Sequence, residues 1–238
     1  MGELTISDLR VTRGGREVVH GIDLTVPSGQ VTALLGANGA GKSSTVLAVA
    51  GLIREVTGTV AIDGTALKPG NPTRTRRAGI ATVQEGHRVF PDISVADNLK
   101  IASLPLPAKE RADAVESVLE LFGELRGLAD RNGGQLSGGQ QQMLALASAL
   151  VAKPAYLVID EMSLGLAPVI VQRLIPAVRS IAASGVGVLL IEQFTQVALE
   201  LATTATVLAQ GEVSLQAPAA DLQRDPDQLS RAYRLSEE

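Results

Sequence analysis

The eight residues "GANGAGKS", Gly36 to Ser43, carry the densest chemistry in the chain. They match G-x-x-x-x-G-K-[ST], the spacing of a backbone loop that wraps a phosphate chain. Gly36, Gly39 and Gly41 let the main chain approach phosphate oxygens closely, with Asn38, Ala40 and Ser44 completing the contact set. Lys42 is placed to reach the β and γ phosphates, and the Ser43 hydroxyl to ligate Mg²⁺. Lys42 is expected to serve the ligand and to have no part in the core. The plainer alternative is a glycine turn with an ordinary lysine. The loop's place between an apolar run and a helical one argues against it.

Two further stretches could act on the same phosphates. "AYLVIDE" is an apolar strand ending in Asp160, which sets a carboxylate where ligands of open α/β sheets gather. Asp160 would bind the metal, directly or through water, and Glu161 beside it could polarise an attacking water. Alone, the pair could equally be two solvated acids ending a strand; the upstream loop favours chemistry. In "NGGQLSGGQQQMLALASALVAKP", residues 132–154, glycines and Ser137 lead into a charge-free apolar segment with no breaker before Pro154. That is a helix start capped by Ser137, and free N–H groups there suit an anion. The chain thus offers two phosphate cradles far apart in sequence.

These residues need a sheet edge to hold them. Strands are expected over 4–12 and 22–26 around the turn "RGGRE", then at 31–36, 58–63, 79–83, 155–160, 187–192 and 205–209. Helices are expected at 42–50, within about 93–130, after Ser137 and over about 168–183. Strands alternate with helices at both ends, around a mostly helical insert. The fold class is α/β: a P-loop core with a mostly parallel sheet, an N-terminal antiparallel β part and a helical sub-lobe. One domain spans 1–238, with 1–84 and 155–216 as catalytic core and about 85–154 as the sub-lobe. The tail, 217–238, is expected to form a short surface helix.

Composition narrows the class. Apolar residues make up 45%, enough for a sizeable core, but aromatics are only 2%, so Leu, Val, Ile and Ala must fill it. A net charge of −4 argues against nucleic-acid binding by bulk electrostatics. The basic run "RTRR" at 74–77 reads as a solvated face. With no cysteine, disulfides and thiolate metal sites are excluded. "MGELTISDLR" lacks the apolar stretch of a signal peptide, and no run approaches the roughly 20 apolar residues that span a bilayer. Work at a membrane would have to go through a partner.

"GANGAGKS", "LSGGQ" and "VIDE", in that order and spacing, resemble the ATP-binding cassette (ABC) ATPases over nearly the whole chain. "LSGGQ" is decisive, because generic phosphate-loop enzymes lack it. The resemblance implies an ATP hydrolase using ATP and Mg²⁺. It implies that Ser137, Gly138, Gly139 and Gln140 contact the γ-phosphate of ATP on the opposite subunit. Four family positions depart from the common pattern. Arg13 stands where an aromatic ring usually stacks on adenine, and no aromatic precedes Phe90. Gln193, in "IEQF", replaces the switch histidine. The usual lobe-linker glutamine, a metal contact, falls on Glu85, with Gln84 one residue earlier. The loop after Glu161 carries Met162 and Ala167 where Pro and Asp are usual.

"EGHRVFPDISVADNL", "SLGLAP" and "IEQ", with the closing "RDPDQLSRAY", resemble one branch: ATPase subunits of branched-chain or hydrophobic amino-acid importers. That branch carries Glu and Gln at the two switch positions and Ala in the loop. The resemblance implies Glu161 and Gln193 as catalytic residues, and Ser43, Glu85 and Asp160 at the metal. It implies transmembrane permease subunits, a second ATPase subunit in a homo- or heterodimer, and an extracytoplasmic solute-binding protein acting indirectly. It places the chain on the cytoplasmic face of the membrane, without nucleic acid. In "HRVFPDIS", 87–94, Phe90 and Pro91 either line a groove for a membrane-subunit helix or belong to the core. The alternative function is a soluble non-transport ABC ATPase, which usually carries two cassettes or a coiled-coil insert. A GTPase is disfavoured, because no Asn is followed by Lys.

Overall fold

A computed structural model describes residues 2–86 and 89–234. His87 and Arg88 of the 87–94 segment, and the last four residues of the tail, lie outside them. β1 (Glu3–Arg13) and β2 (Arg16–Pro27) form a hairpin, and β3 (Val31–Gly36) runs through the phosphate loop into α1 (Lys42–Val49). β4 (Val56–Ile62), β5 (Thr65–Ala66) and α2 (Pro72–Arg77) lead to β6 (Ile80–Val83). Three helices follow, α3 (Val95–Ser103), α4 (Arg111–Leu121) and α5 (Gly138–Val151). Then come β7 (Tyr156–Asp160), α6 (Pro168–Ala183), β8 (Gly187–Glu192), α7 (Thr195–Leu201), β9 (Thr204–Ala209) and β10 (Glu212–Pro218). α8 (Ala219–Arg224) and α9 (Pro226–Arg234) end the described chain.

The strands divide into two sheets. The first, ordered β2-β1-β4-β5, is antiparallel. The second, ordered β10-β9-β3-β8-β7-β6, is parallel except for the edge strand β10. This is the expected α/β architecture with its N-terminal antiparallel part and helical insert.

The apolar run "VTALLG" is continuous because β3 is buried on both faces. Leu34 packs toward α1 and the antiparallel sheet, in one cluster with Val46, Val49, Leu24 and Val158. Ala33 and Leu35 point the other way, against Ala198 of α7 and Leu222 of α8. A third cluster joins the helical insert to the sheet: Leu99, Val118, Leu144 and Leu146 share it with Val83, Ile159 and Leu190. α5 is apolar on most sides because it lies between the other helices and the sheet.

Several expectations are corrected. The helical stretch at 93–130 is broken after Ser103, because Pro105 and Pro107 cannot continue α3. β2 begins at Arg16 rather than 22, since pairing with β1 outweighs the charged "RE" start. α7 and β10 were not anticipated; β10 is an edge strand with no fully buried side chain, so its apolar signal is weak. The tail is not one surface helix. It forms the end of β10 and two helices, and Leu222 and Ala232 are buried in the core. "RTRR" does behave as a solvated face: Arg74, Arg76 and Arg77 of α2 are exposed.

Candidate functional site

Register places the chemistry at one sheet edge. Leu35 of β3 pairs with Glu192 of β8, and Ile191 pairs with Asp160 of β7. The phosphate loop therefore leaves the sheet beside the carboxyl end of β8, with that of β7 one strand further on, where α/β ligands collect. The loop's shape demands glycine. Gly36 adopts φ 155°, and a Cβ there would meet the Leu208 carbonyl oxygen at 2.5 Å. Gly41, the residue before α1, adopts φ 104°, and its Cβ would lie 2.9 Å from the Val18 carbonyl oxygen. Any side chain at either position would push the loop off its neighbours.

Lys42 is more deeply seated than its sequence position suggests, which corrects the expectation that it has no part in the core. It is 4% exposed, and its Nζ donates to the carbonyls of Gly36 at 2.8 Å and Ala37 at 3.1 Å. Burial pulls the ammonium below its ordinary value, while the charges of Glu161, Asp160 and Glu192 oppose that pull.

Asp160 is buried, and among the described residues no hydrogen bond reaches its Oδ1. Burial, with the charges of Glu161 and Glu85, pushes its carboxyl up to about 6 despite Lys42. An orphaned buried carboxylate oxygen among other acids suits a cation, whose charge would reverse that shift. Among the described residues, no group of three or more His, Asp or Glu could hold a metal by itself. That suits Mg²⁺, which takes one or two carboxylates and completes its shell with phosphate oxygens and water. The donor set of Asp160, Ser43 and Glu85 thus fits Mg²⁺.

A cavity of about 600 Å³ opens in front of the loop. Arg13, Asn38, Gly39, Gly41, Lys42, Ser43, Ser44, Glu85, Glu161 and Gln193 all line it. Residues from five separate segments therefore converge on one cavity. Arg13 stands at its mouth, exposed at the end of β1. Gly36, Ala40 and Asp160 are not among the residues that line the cavity.

The segment Ser137–Gln140 does not line that cavity. Ser137 caps α5 as expected: its Oγ accepts from the Gln140 N–H at 3.4 Å, and the Gln140 Oε1 accepts from the Ser137 N–H at 3.1 Å. The Gln140 amide also donates to Glu124 at 2.8 Å, so its side chain is committed within its own lobe. Gly139 is buried, and a Cβ there would come within 2.3 Å of Ile170 on α6. Its glycine identity is thus explained by helix packing.

A second cavity, of about 410 Å³, lies where the helical insert meets the sheet. Leu52, Arg76, Gln84, Val89, Phe90 and Ile101 are among its lining residues. Phe90 is 58% exposed, which rules out the core reading, whereas Pro91 is not part of the lining. Gln84 lines this groove and adjacent Glu85 lines the phosphate cavity, so one short linker touches both.

Sequence reasoning missed one pair. Glu192 is completely buried, and its oxygens accept from the Ser163 N–H and the Ser163 hydroxyl. Burial pushes its carboxyl from the ordinary 4.5 up to about 7, aided by Glu161 and opposed by bonds from Ser163 and the Phe194 backbone. The fold then holds a proton that the unfolded chain has lost. This contribution to stability is present below about 4.5 and lost as pH rises through about 7. Glu192→Gln should flatten that decline, by on the order of 2 kcal/mol across the window. Urea unfolding at several pH values measures it; parallel pH curves for the two proteins would refute the assignment.

Comparison with known proteins agrees with this geometry. A family profile described as ABC transporter matches residues 19–163. Over 90% of its length the chain is 37% identical to the high-affinity branched-chain amino acid transport ATP-binding protein BraG of Pseudomonas aeruginosa, 91% of which is covered. It is 31% identical, over 98% of its length, to the lipopolysaccharide export system ATP-binding protein LptB of Escherichia coli, 97% of which is covered. A crystal structure of a nucleotide-free ATP-binding cassette from an ABC transporter superposes with a TM-score of 0.85 at 22% identity, covering 96% of this chain and 98% of that one.

Proposed function

Because the chain belongs to the ABC transporter ATPase family, whose members hydrolyse ATP coupled to transport, we propose that it drives a bacterial importer of branched-chain or other hydrophobic amino acids. The observation that carries the cargo is the 37% identity to BraG across 90% of the chain. The segments "SLGLAP" and "IEQ" support it. Such ATPases dimerise and work with transmembrane permease subunits. The transporter relatives set aside a soluble, non-transport ABC ATPase.

In the proposed mechanism the phosphate loop, Asn38 to Ser44, wraps the nucleotide and Lys42 turns from its loop carbonyls to the β and γ phosphates. Arg13 stacks its guanidinium plane on the base. Ser43, Asp160 and Glu85 hold Mg²⁺, which when bound neutralises charge on the phosphates. Glu161 orients the attacking water and Gln193 assists from the end of β8. Ser137, Gly138, Gly139 and Gln140 face the nucleotide of the second ATPase subunit, identical or not. Hydrolysis then waits on closure.

Residues 1–84 and 155–216 act as catalytic core, 85–154 as the lobe that carries the signature, and 217–238 as its tail. The groove at Phe90 receives the permease. The subunit sits on the cytoplasmic face, serves a solute-binding protein only indirectly, and binds no nucleic acid. Among the described residues no helix is long and apolar enough to cross a membrane. A second reading, a different cargo, is favoured by the likeness to LptB over nearly the whole chain.

Uptake of labelled leucine, isoleucine and valine into source cells lacking the gene separates the two. The expected result is loss of uptake, restored by the wild-type gene and not by Glu161→Gln. Unchanged uptake of all three amino acids would overturn the cargo and leave the ATPase assignment standing.

A further inference from the structure

The pair that the sequence concealed lies beside the reacting groups. Glu192 is 0% exposed at the last position of β8; both its oxygens accept from Ser163, and the Phe194 backbone bonds to it as well. Oε1 accepts from the Ser163 N–H at 3.1 Å and Oε2 from the Ser163 hydroxyl at 2.5 Å. Ser163 follows Glu161 by two positions, and Met162 between them is wholly buried. At the other end of this short turn, the Glu161 N–H donates to the Ile191 carbonyl at 2.9 Å. The turn is thus fastened at both ends to the last two residues of β8. The next residue, Gln193, lines the phosphate cavity together with Glu161.

The turn needs such fastening. Glu161 sits at φ 52°, in the left-handed region. A non-glycine residue keeps that conformation only where its surroundings over-determine it, and such residues cluster where geometry serves function. A carboxylate is also an expensive way to fill a buried site, which an apolar side chain would fill without loss of hydration. What the carboxylate adds is direction: two acceptors that fix the main chain and the side chain of one serine at once.

We propose that Glu192 is a positioning residue for hydrolysis: through Ser163 it holds the left-handed turn that aims Glu161 at its water, in register with Gln193. The proposal rests on the reading of Glu161 as the water-orienting residue.

The test compares Ser163→Ala, Glu192→Leu, Glu192→Gln and Glu161→Gln in the transporter purified with its membrane subunits. Turnover and MgATP affinity are both measured. Ser163→Ala loses a hydrogen bond to a carboxylate and should lower kcat about tenfold, with MgATP affinity held within about twofold. Glu192→Leu, which removes both bonds, should lower kcat further. Glu192→Gln can still accept from the Ser163 N–H and should recover most of the loss. Wild-type kcat in both Ser163→Ala and Glu192→Leu would overturn the proposal. So would a loss of MgATP affinity matching the loss of kcat, the mark of a merely structural residue. If Glu192→Leu does not fold, Ser163→Ala decides, since it removes a single oxygen atom. An inactive Glu161→Gln beside fully active Ser163→Ala and Glu192→Leu defeats the positioning role alone. A fully active Glu161→Gln removes the premise, and the proposal with it.

Discussion

Glu161→Gln should bind MgATP as the wild type does and lose turnover by about a hundredfold or more. The substitution keeps the shape of the side chain and the main-chain bond from residue 161 to the Ile191 carbonyl. It also keeps Met162 seated in the core, where it is 0% exposed. What disappears is the carboxylate that would polarise a water; an amide cannot take up its proton. Binding should survive because Glu161's negative charge is one of the influences that push Asp160 upward. Removing it moves Asp160 back toward its ordinary value and favours the ionised form that a metal needs. Equilibrium nucleotide binding and phosphate release, measured on one preparation, give the split. Wild-type phosphate release would transfer the role to the other carboxylate lining the cavity, Glu85.

Such a separation of binding from chemistry was legible in the sequence only where residue type and spacing coincide. "GANGAGKS" announces its own geometry, since only glycines fit at Gly36 and Gly41, and the structure supplies the carbonyls of Leu208 and Val18 as the reason. β3, β7 and β8 were found because strands buried on both faces are apolar without interruption. α7 and β10 were missed for the opposite reason: each is short, and β10 carries polar residues along an edge. Glu192 was illegible for a different reason. A carboxylate ending an apolar strand looks like a solvated terminus, and nothing local says that Ser163, twenty-nine positions away, will meet it. Only the pairing of β8 with both β3 and β7 brings those residues together. Lys42 was half legible. Its chemistry follows from the motif, whereas its bonds to Gly36 and Ala37 depend on how the loop folds back.

Those bonds shape the second large effect, expected for Lys42→Ala. MgATP affinity should fall by about a hundredfold or more, because a charge-assisted contact to phosphate is lost in a site sheltered from water. Fold stability without nucleotide should change far less, through two opposing terms. The Gly36 and Ala37 carbonyls lose their donor, which for a buried acceptor costs about 1–3 kcal/mol. Against this, the chain no longer buries an ammonium that burial itself disfavours. Thermal unfolding with and without MgATP resolves the two contributions. A ligand that binds only the folded state raises stability in proportion to the logarithm of its concentration over Kd. The wild type should therefore melt at a higher temperature as MgATP is raised. Lys42→Ala should melt near the wild-type temperature without nucleotide and show almost no rise with it. A mutant that is folded and still gains as much from MgATP as the wild type would remove Lys42 from the phosphate site. In that case the loop carbonyls are its only partners, and the lysine is a structural tie.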